Sequence, residues 1–403
     1  MRGVPGPFWL DEPYSPRPPL EAEVSADVAI LGGGITGVTA ACFLASRGAK
    51  VAVVERDAVA SGATGRNAGF LLAGVAHTYS IAGKAHGRER ARLLWRLTGE
   101  NHELLRGLLE AEGIECGYAR NGSYTLAVSD AEVDAHRKSA AMLAEDGFRA
   151  TFLDDTEVAR LFPGSGIRGG TFNPDDGELH PVRYVRGLAR AAERKGARIF
   201  ERTRVTKIET GATSVTLEAG KGRLSAAMLL LASNAWTALL HPYFADAIVG
   251  MRGQMLATQP CPERLVPAPV YADYGFEYFR QLPDGRILAG GGRRSSYDTE
   301  LTYADRPSDT VQQAIEAFLH ACLPLARGLK VTHRWAGIMG FSCDELPNIG
   351  LVPGTANVYA AAGYHGHGLA FSTIAARAVT GMILDGRTDI PCEIFSPRRH
   401  LPA

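Results

Sequence analysis

Apolar residues first gather at positions 28–31, where Val-Ala-Ile-Leu runs into Gly32-Gly33-Gly34. Positions 35–47 then carry apolar side chains at helical spacing and stop at Gly48. A second apolar run, Val51-Ala52-Val53-Val54, lies within residues 50–55; such continuous runs belong to strands buried on both faces of a parallel sheet. Together these segments predict a βαβ unit. Further along, the pattern predicts helices over 87–112, 131–146, 182–195 and 369–384. Strands are expected over 123–128, 198–210, 214–217, 229–232 and 358–361, and 170–181 reads as a turn-rich stretch. Residues 276–282 and 286–289 flank Pro283-Asp284-Gly285, which is turn chemistry for a β-hairpin. Prolines repeat through residues 1–23, which therefore read as an arm outside regular structure.

Alternation of α/β segments with antiparallel and helical ones predicts an α/β fold: a discontinuous Rossmann-like nucleotide-binding domain with an inserted α+β substrate domain built on an antiparallel sheet. The expected boundaries are an arm at 1–23, a nucleotide domain at 24–86, 150–240 and 331–403, and a substrate domain at 87–149 and 241–330.

The 403 residues are 46% apolar and 21% charged, with a formal net charge of zero. This composition suits a globular enzyme and removes the electrostatic case for nucleic acid or an anionic membrane surface as partner. The longest apolar stretch, 226–240, is broken by Ser233 and Asn234 and is short for a membrane span. Six cysteines are scattered without a C-x-x-C pair, and no zinc spacing occurs, so no metal site is expected. The N-terminal stretch lacks the order of a secretion signal. A cytoplasmic protein without membrane insertion is the expectation.

Gly32-x-Gly34-x-x-Gly37 follows a strand and opens a helix, with Glu55 ending the next strand. In that context the motif is a dinucleotide fingerprint. Gly32 permits the tight turn, Gly34 lets a pyrophosphate approach the backbone, and Gly37 lets helix and strand pack closely. The helix N-terminus offers N–H groups to phosphates, and Glu55 would accept from ribose hydroxyls. By itself the motif does not separate FAD from NAD.

The loop Ser61-Gly62-Ala63-Thr64-Gly65-Arg66-Asn67-Ala68-Gly69 resembles the flavin loop of the D-amino-acid oxidase superfamily. Within that superfamily of glycine oxidase-like and sarcosine oxidase-like enzymes, the chain most resembles gamma-glutamylputrescine oxidoreductases. Phe8-Trp9, residues 251–255, the hairpin ending Gly290-Gly291, residues 335–350 and Gly363-Tyr364-His365-Gly366-His367-Gly368 match in the same order. The resemblance implies FAD as cofactor, held by Gly32, Gly34, Ile35, Thr36, Gly37, Glu55, Arg56, Ser61, Thr64, Arg66, Asn67, Ala68, Gly69, Val205, Gly337, Gly366, His367 and Gly368. The histidine-glycine turn would place a helix N-terminus at the flavin, stabilising negative charge on its reduced ring.

Three departures from relatives bear on the chemistry. A cysteine linked covalently to flavin in monomeric sarcosine oxidases falls at Gly337. A histidine with that role in dimethylglycine dehydrogenase-like enzymes falls at Arg66. The resemblance therefore implies non-covalent FAD. The arginine that grips the substrate carboxylate in glycine oxidase-like sequences falls at Met339, which puts an α-amino acid held that way in doubt.

The implied reaction is oxidation of the C–N bond of a primary or secondary amine, an amino acid or polyamine derivative, to an imine by hydride transfer to flavin N5. Tyr278 and Arg280 share a strand face with Phe276 by period-two alternation and are candidate pocket residues, with His367, Trp335 and Tyr364. Arg252 ranks lower because it could instead hold its own strand. Some relatives use a lysine to activate oxygen, but none occurs here between Lys221 and Lys330. The expected partners are an amine and an acceptor: O2, a quinone or an electron-transfer protein. An NAD-linked dehydrogenase and a non-catalytic flavin-binding subunit are the alternative readings.

Overall fold

The computed structural model describes residues 6–401; positions 1–5 of the expected arm and 402–403 lie outside it. One sheet runs in the order Asn348–Leu351, Val358–Ala362, Gly222–Leu231, Glu23–Leu31, Val51–Val54 and Arg198–Phe200. The last five of these strands pair in parallel. Its side chains alternate between two apolar layers. Val28, Ile30, Val51, Val53 and Leu230 join the core beneath helices Ile35–Ser46, Pro181–Arg194 and Gly368–Asp385. Ala29, Leu31, Ala52, Val54, Leu229 and Leu231 join the core on the other side. Burial on both faces explains why these strands read as unbroken apolar runs.

A second sheet has the order Val331–Ser342, Ile248–Thr258, Ile287–Gly291, Glu277–Gln281, Val270–Ala272, Ser123–Ala127, Gly169–Asn173 and Thr151–Leu153. All its pairings are antiparallel except that of Val270–Ala272 with Ser123–Ala127. The expected hairpin is present, with Phe279 opposite Ala289. Helix Asp309–Cys322 covers this sheet through Val311, Ile315 and Leu319. Helix Gly368–Asp385 is long and apolar enough to cross a membrane. Here it packs between Ile35–Ser46 and Arg88–Glu112.

Several details differ from the sequence expectations. Strands Val331–Ser342, Gly169–Asn173 and Thr151–Leu153 belong to the antiparallel sheet, although 331–403 and 150–240 were expected in the nucleotide domain. The cause is topological: Val331–Ser342 finds its long partner in Ile248–Thr258. Residues 198–210 do not form one pairing unit. Arg198–Phe200 edges the parallel sheet, the chain turns at Arg202 (φ 50°), and Lys207–Thr210 pairs with Val215–Ala219. Helix Tyr79–His86 was not expected. The proline arm is anchored: buried Trp9 donates to the Asn67 carbonyl at 2.6 Å, and Arg17 pairs with Glu193 at 2.6 Å.

Candidate active site

The glycine turn after Glu23–Leu31 is built by close approach. Gly32 has φ 119°, and a Cβ there would stand 2.6 Å from the Ala232 carbonyl oxygen. A Cβ on Gly37 would stand 2.0 Å from the Gly32 oxygen, so this glycine packs the helix onto the turn without reaching the cavity. Helix Ile35–Ser46 begins at Gly34 without a side-chain cap from it. Thr64 of the small-residue loop accepts from the Ile35 N–H at 3.1 Å, tying that loop to the helix start. Glu55 accepts from the Gly33 N–H at 2.7 Å and the Asp57 N–H at 2.9 Å. Burial raises its carboxyl pKa, and these two backbone donors oppose the rise.

One cavity of about 920 Å³ runs from this turn to the turn before helix Gly368–Asp385. Its first end is lined by Gly32, Gly34, Ile35, Thr36, Glu55, Arg56 and Val205. Its waist is lined by Thr64, Arg66, Asn67, Ala68, Gly69 and Gly337. At the far end stand Tyr364, Gly366, His367 and Gly368, and no side chain caps the first N–H groups of the helix. Asn234 ties the two ends together, since its Oδ1 accepts from the Gly363 N–H at 3.0 Å. Among the described residues seven non-glycine positions have positive φ, and four of them, Asn234, Tyr274, Glu345 and His365, line this cavity. Backbone strain of this kind collects where a site is over-determined by its surroundings.

Beyond the histidine turn the cavity widens into an aromatic chamber of Tyr271, Tyr274, Phe276, Tyr278 and Phe341. Burial pushes the Tyr278 hydroxyl up to about 12 and the His367 imidazole down to about 4. Both groups are neutral near pH 7, so Tyr278 and His367 offer hydrogen-bonding groups without charge to the chamber. The Tyr364 hydroxyl is 2.9 Å from Thr36 Oγ1, which links the two turns a second time.

Besides Gly37, three expected residues stand away from the cavity. Arg280 is buried beneath the 61–69 loop, 2.9 Å from a Glu178 carboxylate oxygen, and donates to the carbonyls of Ala68 and Leu179. Trp335 is buried and donates to the Arg66 carbonyl at 2.9 Å. Both residues support the loop, and neither lines the chamber. Alternation correctly put Tyr278 and Arg280 on one face, but that face continues past the chamber under the loop. Ser61 closes its own turn by bonding Ala58. Arg252 pairs with Glu300 at 2.6 Å, the strand-holding role considered for it.

Sequence reasoning missed Asn234, Trp236, Tyr271, Tyr274 and Arg293. Trp236 lies under the Arg56 guanidinium, 3.8 Å from its carbon, at the first end of the cavity. Asn234 follows the strand Gly222–Leu231 that neighbours the glycine turn, and a polar residue just beyond a buried strand was the available signal.

Small residues at the turns, helix starts at both ends and a Cβ-free approach at Gly34 form a cradle of the kind an extended dinucleotide fills. Comparison with known proteins agrees. Residues 27–382 match the model of the DAO family, FAD dependent oxidoreductase. The chain is 27% identical to gamma-glutamylputrescine oxidoreductase of Escherichia coli (strain K12), over 92% of this chain and 86% of that protein. It is 26% identical to glycine oxidase of Geobacillus kaustophilus (strain HTA426), over 93% and 97%. The crystal structure of glycine oxidase from Geobacillus kaustophilus superposes with a TM-score of 0.82 at 24% identity, covering 94% of this chain and all of that one.

Proposed function

Because the chain belongs to the DAO family of FAD dependent oxidoreductases, we propose that it oxidises the C–N bond of a primary or secondary amine in the chamber beyond the histidine-glycine turn. The observation that carries this reading is the single cavity joining the Gly32 turn to the Gly368 helix start and opening into an aromatic chamber. The cofactor is FAD, and it supplies a hydride acceptor to be placed against the carbon beside the substrate nitrogen.

The residues divide the work. Glu55 and the start of helix Ile35–Ser46 hold the adenosine and pyrophosphate end. Thr64, Arg66, Asn67 and Gly69 line the waist, and the start of helix Gly368–Asp385 faces the flavin end. Tyr271, Tyr274, Phe276, Tyr278 and Phe341 exclude water from the chamber. Low polarity there disfavours an ammonium and so favours the free amine that the reaction needs. His367 stays neutral and is free to accept a hydrogen bond from a substrate N–H. The substrate leaves as an imine, which water hydrolyses to a carbonyl compound and ammonia from a primary amine, or a carbonyl compound and a primary amine from a secondary one. FAD is held non-covalently in this reading, since positions 66 and 337 carry arginine and glycine. All six cysteines are free thiols in the structure, as suits a protein of the reducing cytoplasm.

The test is anaerobic mixing of the yellow holoprotein with a panel of primary and secondary amines. Bleaching of the flavin absorption by an amine, with one imine or carbonyl product per flavin, supports the reading. A flavin that no amine bleaches, while another class of donor does, rejects it.

A further inference from the structure

A small cavity of about 50 Å³ lies between the site cavity and a second hollow, a groove of about 840 Å³ beside helix Arg88–Glu112. It shares walls with both. His77, Tyr271 and His367 line the site cavity and the small one alike, whereas Trp95, Asn173 and Asp176 line the small cavity and the groove. His136, Ser139 and Thr171 make the rest of its wall polar. Two residues that line it carry buried atoms, Thr78 Oγ1 and His77 Nδ1, with no hydrogen-bond partner among the described residues. The Thr78 hydroxyl has no local duty, since it precedes helix Tyr79–His86 without capping it. Unmatched polar atoms around a polar cavity are what internal water satisfies, and this volume admits about three to five molecules.

Asp176 stands on the groove side of the small cavity. Its carboxyl is buried and accepts two bonds, from the Ala73 N–H at 2.8 Å and the Ser123 hydroxyl at 2.6 Å, so each oxygen keeps room for another donor. The charges acting on it are those of Asp175 and Arg120, which pair with one another and with Arg149 and Glu103 beside the groove. Among the other titratable groups of the small cavity, burial holds His136 and His367 down at about 4 and pushes Tyr79 and Tyr271 up, while the hydrogen bond to Glu345 raises His77. Burial raises Asp176 from 3.8 to about 7, so this carboxyl takes up and releases a proton near neutral pH.

We infer, resting on the amine-oxidation reading, that waters in this small cavity join the chamber to Asp176 and carry the proton shed by the substrate nitrogen out to the groove. An amine that enters as an ammonium ion must lose one N–H proton before the carbon beside it gives up a hydride. The electron pair of that N–H bond stays on nitrogen. The proton passes through the waters to the Asp176 carboxylate, which releases it to water in the groove. The hydride then leaves with both electrons of its C–H bond, and FAD accepts it. Asp176 does not line the site cavity, so it acts through water and is a positioning residue for the proton. The exit lies through a wall that the substrate does not have to vacate.

The experiment compares the FAD-loaded protein with its D176N and T78V variants in three readouts. Asp176→Asn can keep both hydrogen bonds, and Thr78→Val deletes a hydroxyl that holds nothing else in the fold. First, anaerobic bleaching of the flavin by saturating butylamine, N-methylbutylamine and sarcosine is timed across pH. At pH 7 bleaching is expected to slow by about tenfold or more in D176N and by about threefold in T78V. The gap should close towards about pH 10.5, where an alkylamine arrives unprotonated. Secondly, D176N should show a solvent isotope effect on bleaching in heavy water at pH 7 that exceeds that of wild type, a change that a merely structural residue would not produce. Thirdly, a crystal structure of the holoprotein should hold ordered water between Thr78 Oγ1 and the Asp176 carboxyl, with the water beside position 78 lost in T78V. Should D176N melt below wild type at pH 7, T78V alone carries the kinetic comparison. Equal rates in wild type and variants at pH 7, a gap that is the same at every pH, or a dry cavity would overturn the inference while leaving amine oxidation in place. If the waters are present but no amine bleaches the flavin at any pH, the amine reading fails and the hydrated link to Asp176 stands.

Discussion

Gly337 and Arg66 occupy one another's space: a Cβ added at Gly337 would stand 2.8 Å from Arg66 Cβ. Arg66 is fixed there by donating to the Ser61 carbonyl at 2.9 Å and the Ala336 carbonyl at 2.8 Å. Two departures from covalent flavoenzymes that lie far apart in the sequence thus form one contact at the waist of the cavity.

That contact has a direct test. Gly337→Cys is expected to displace Arg66 at a cost of about 1–3 kcal/mol. The displacement should weaken FAD binding by about tenfold or more, without creating a covalent link. Acid precipitation of the variant should still release all of its flavin, and flavin left on the washed pellet would contradict the account.

Arg280 and Glu178 form an ion pair that is more than nine-tenths buried, and they support the 61–69 loop from beneath. Removing one partner strands the other, so Glu178→Gln or Arg280→Leu is expected to cost about 3–5 kcal/mol of stability. Urea unfolding of the holoprotein checks this. For whatever holoprotein remains, KM for the amine should change little, since neither residue lines the chamber.

Glu55 holds the Gly33 N–H from the strand beside it. Glu55→Ala is expected to lower FAD affinity by about 10- to 100-fold, the range for losing a hydrogen bond to a charged group. Fluorescence titration of the apoprotein with FAD measures it. Unchanged affinity would move the adenosine end elsewhere.

Asp176 is buried, accepting from the Ala73 N–H at 2.8 Å and the Ser123 hydroxyl at 2.6 Å, and burial raises its pKa from 3.8 to about 7. A carboxyl with a raised folded-state pKa contributes stability that is full below its unfolded pKa and is lost as pH climbs through the folded value. Asp176→Asn, which can keep both hydrogen bonds, is therefore expected to match the wild-type melting temperature near about pH 4. Its advantage should grow up to about pH 7 and stay constant above. A gap that is the same at every pH would contradict the shift.

The dinucleotide turn was legible because its residues are local. A strand, three glycines, a helix and Glu55 lie within one short segment and act through backbone geometry that sequence spacing encodes. The hairpin was legible for the same reason, through Pro283-Asp284-Gly285. The chamber was not, because it is assembled from segments far apart in the chain, and burial alone distinguishes one arginine from another. Arg280, Arg293 and Arg294 look alike in sequence. In the fold the first is matched by Glu178, the third by Asp273 at 2.5 Å, and the second by no carboxylate among the described residues. Domain boundaries failed where Val331–Ser342 paired across to Ile248–Thr258, since a long strand carries no mark of which sheet it will join.

The claim on which everything else depends is that one FAD lies along this cavity with its two ends at the two turns. A crystal structure of the holoprotein tests it most directly. The account expects the adenosine ribose beside Glu55, the flavin ring against Gly366–Gly368, and its reactive face open to the chamber of Tyr271, Tyr278 and Arg293. A cofactor lying in the opposite direction, or bound outside the cavity between these turns, would contradict it.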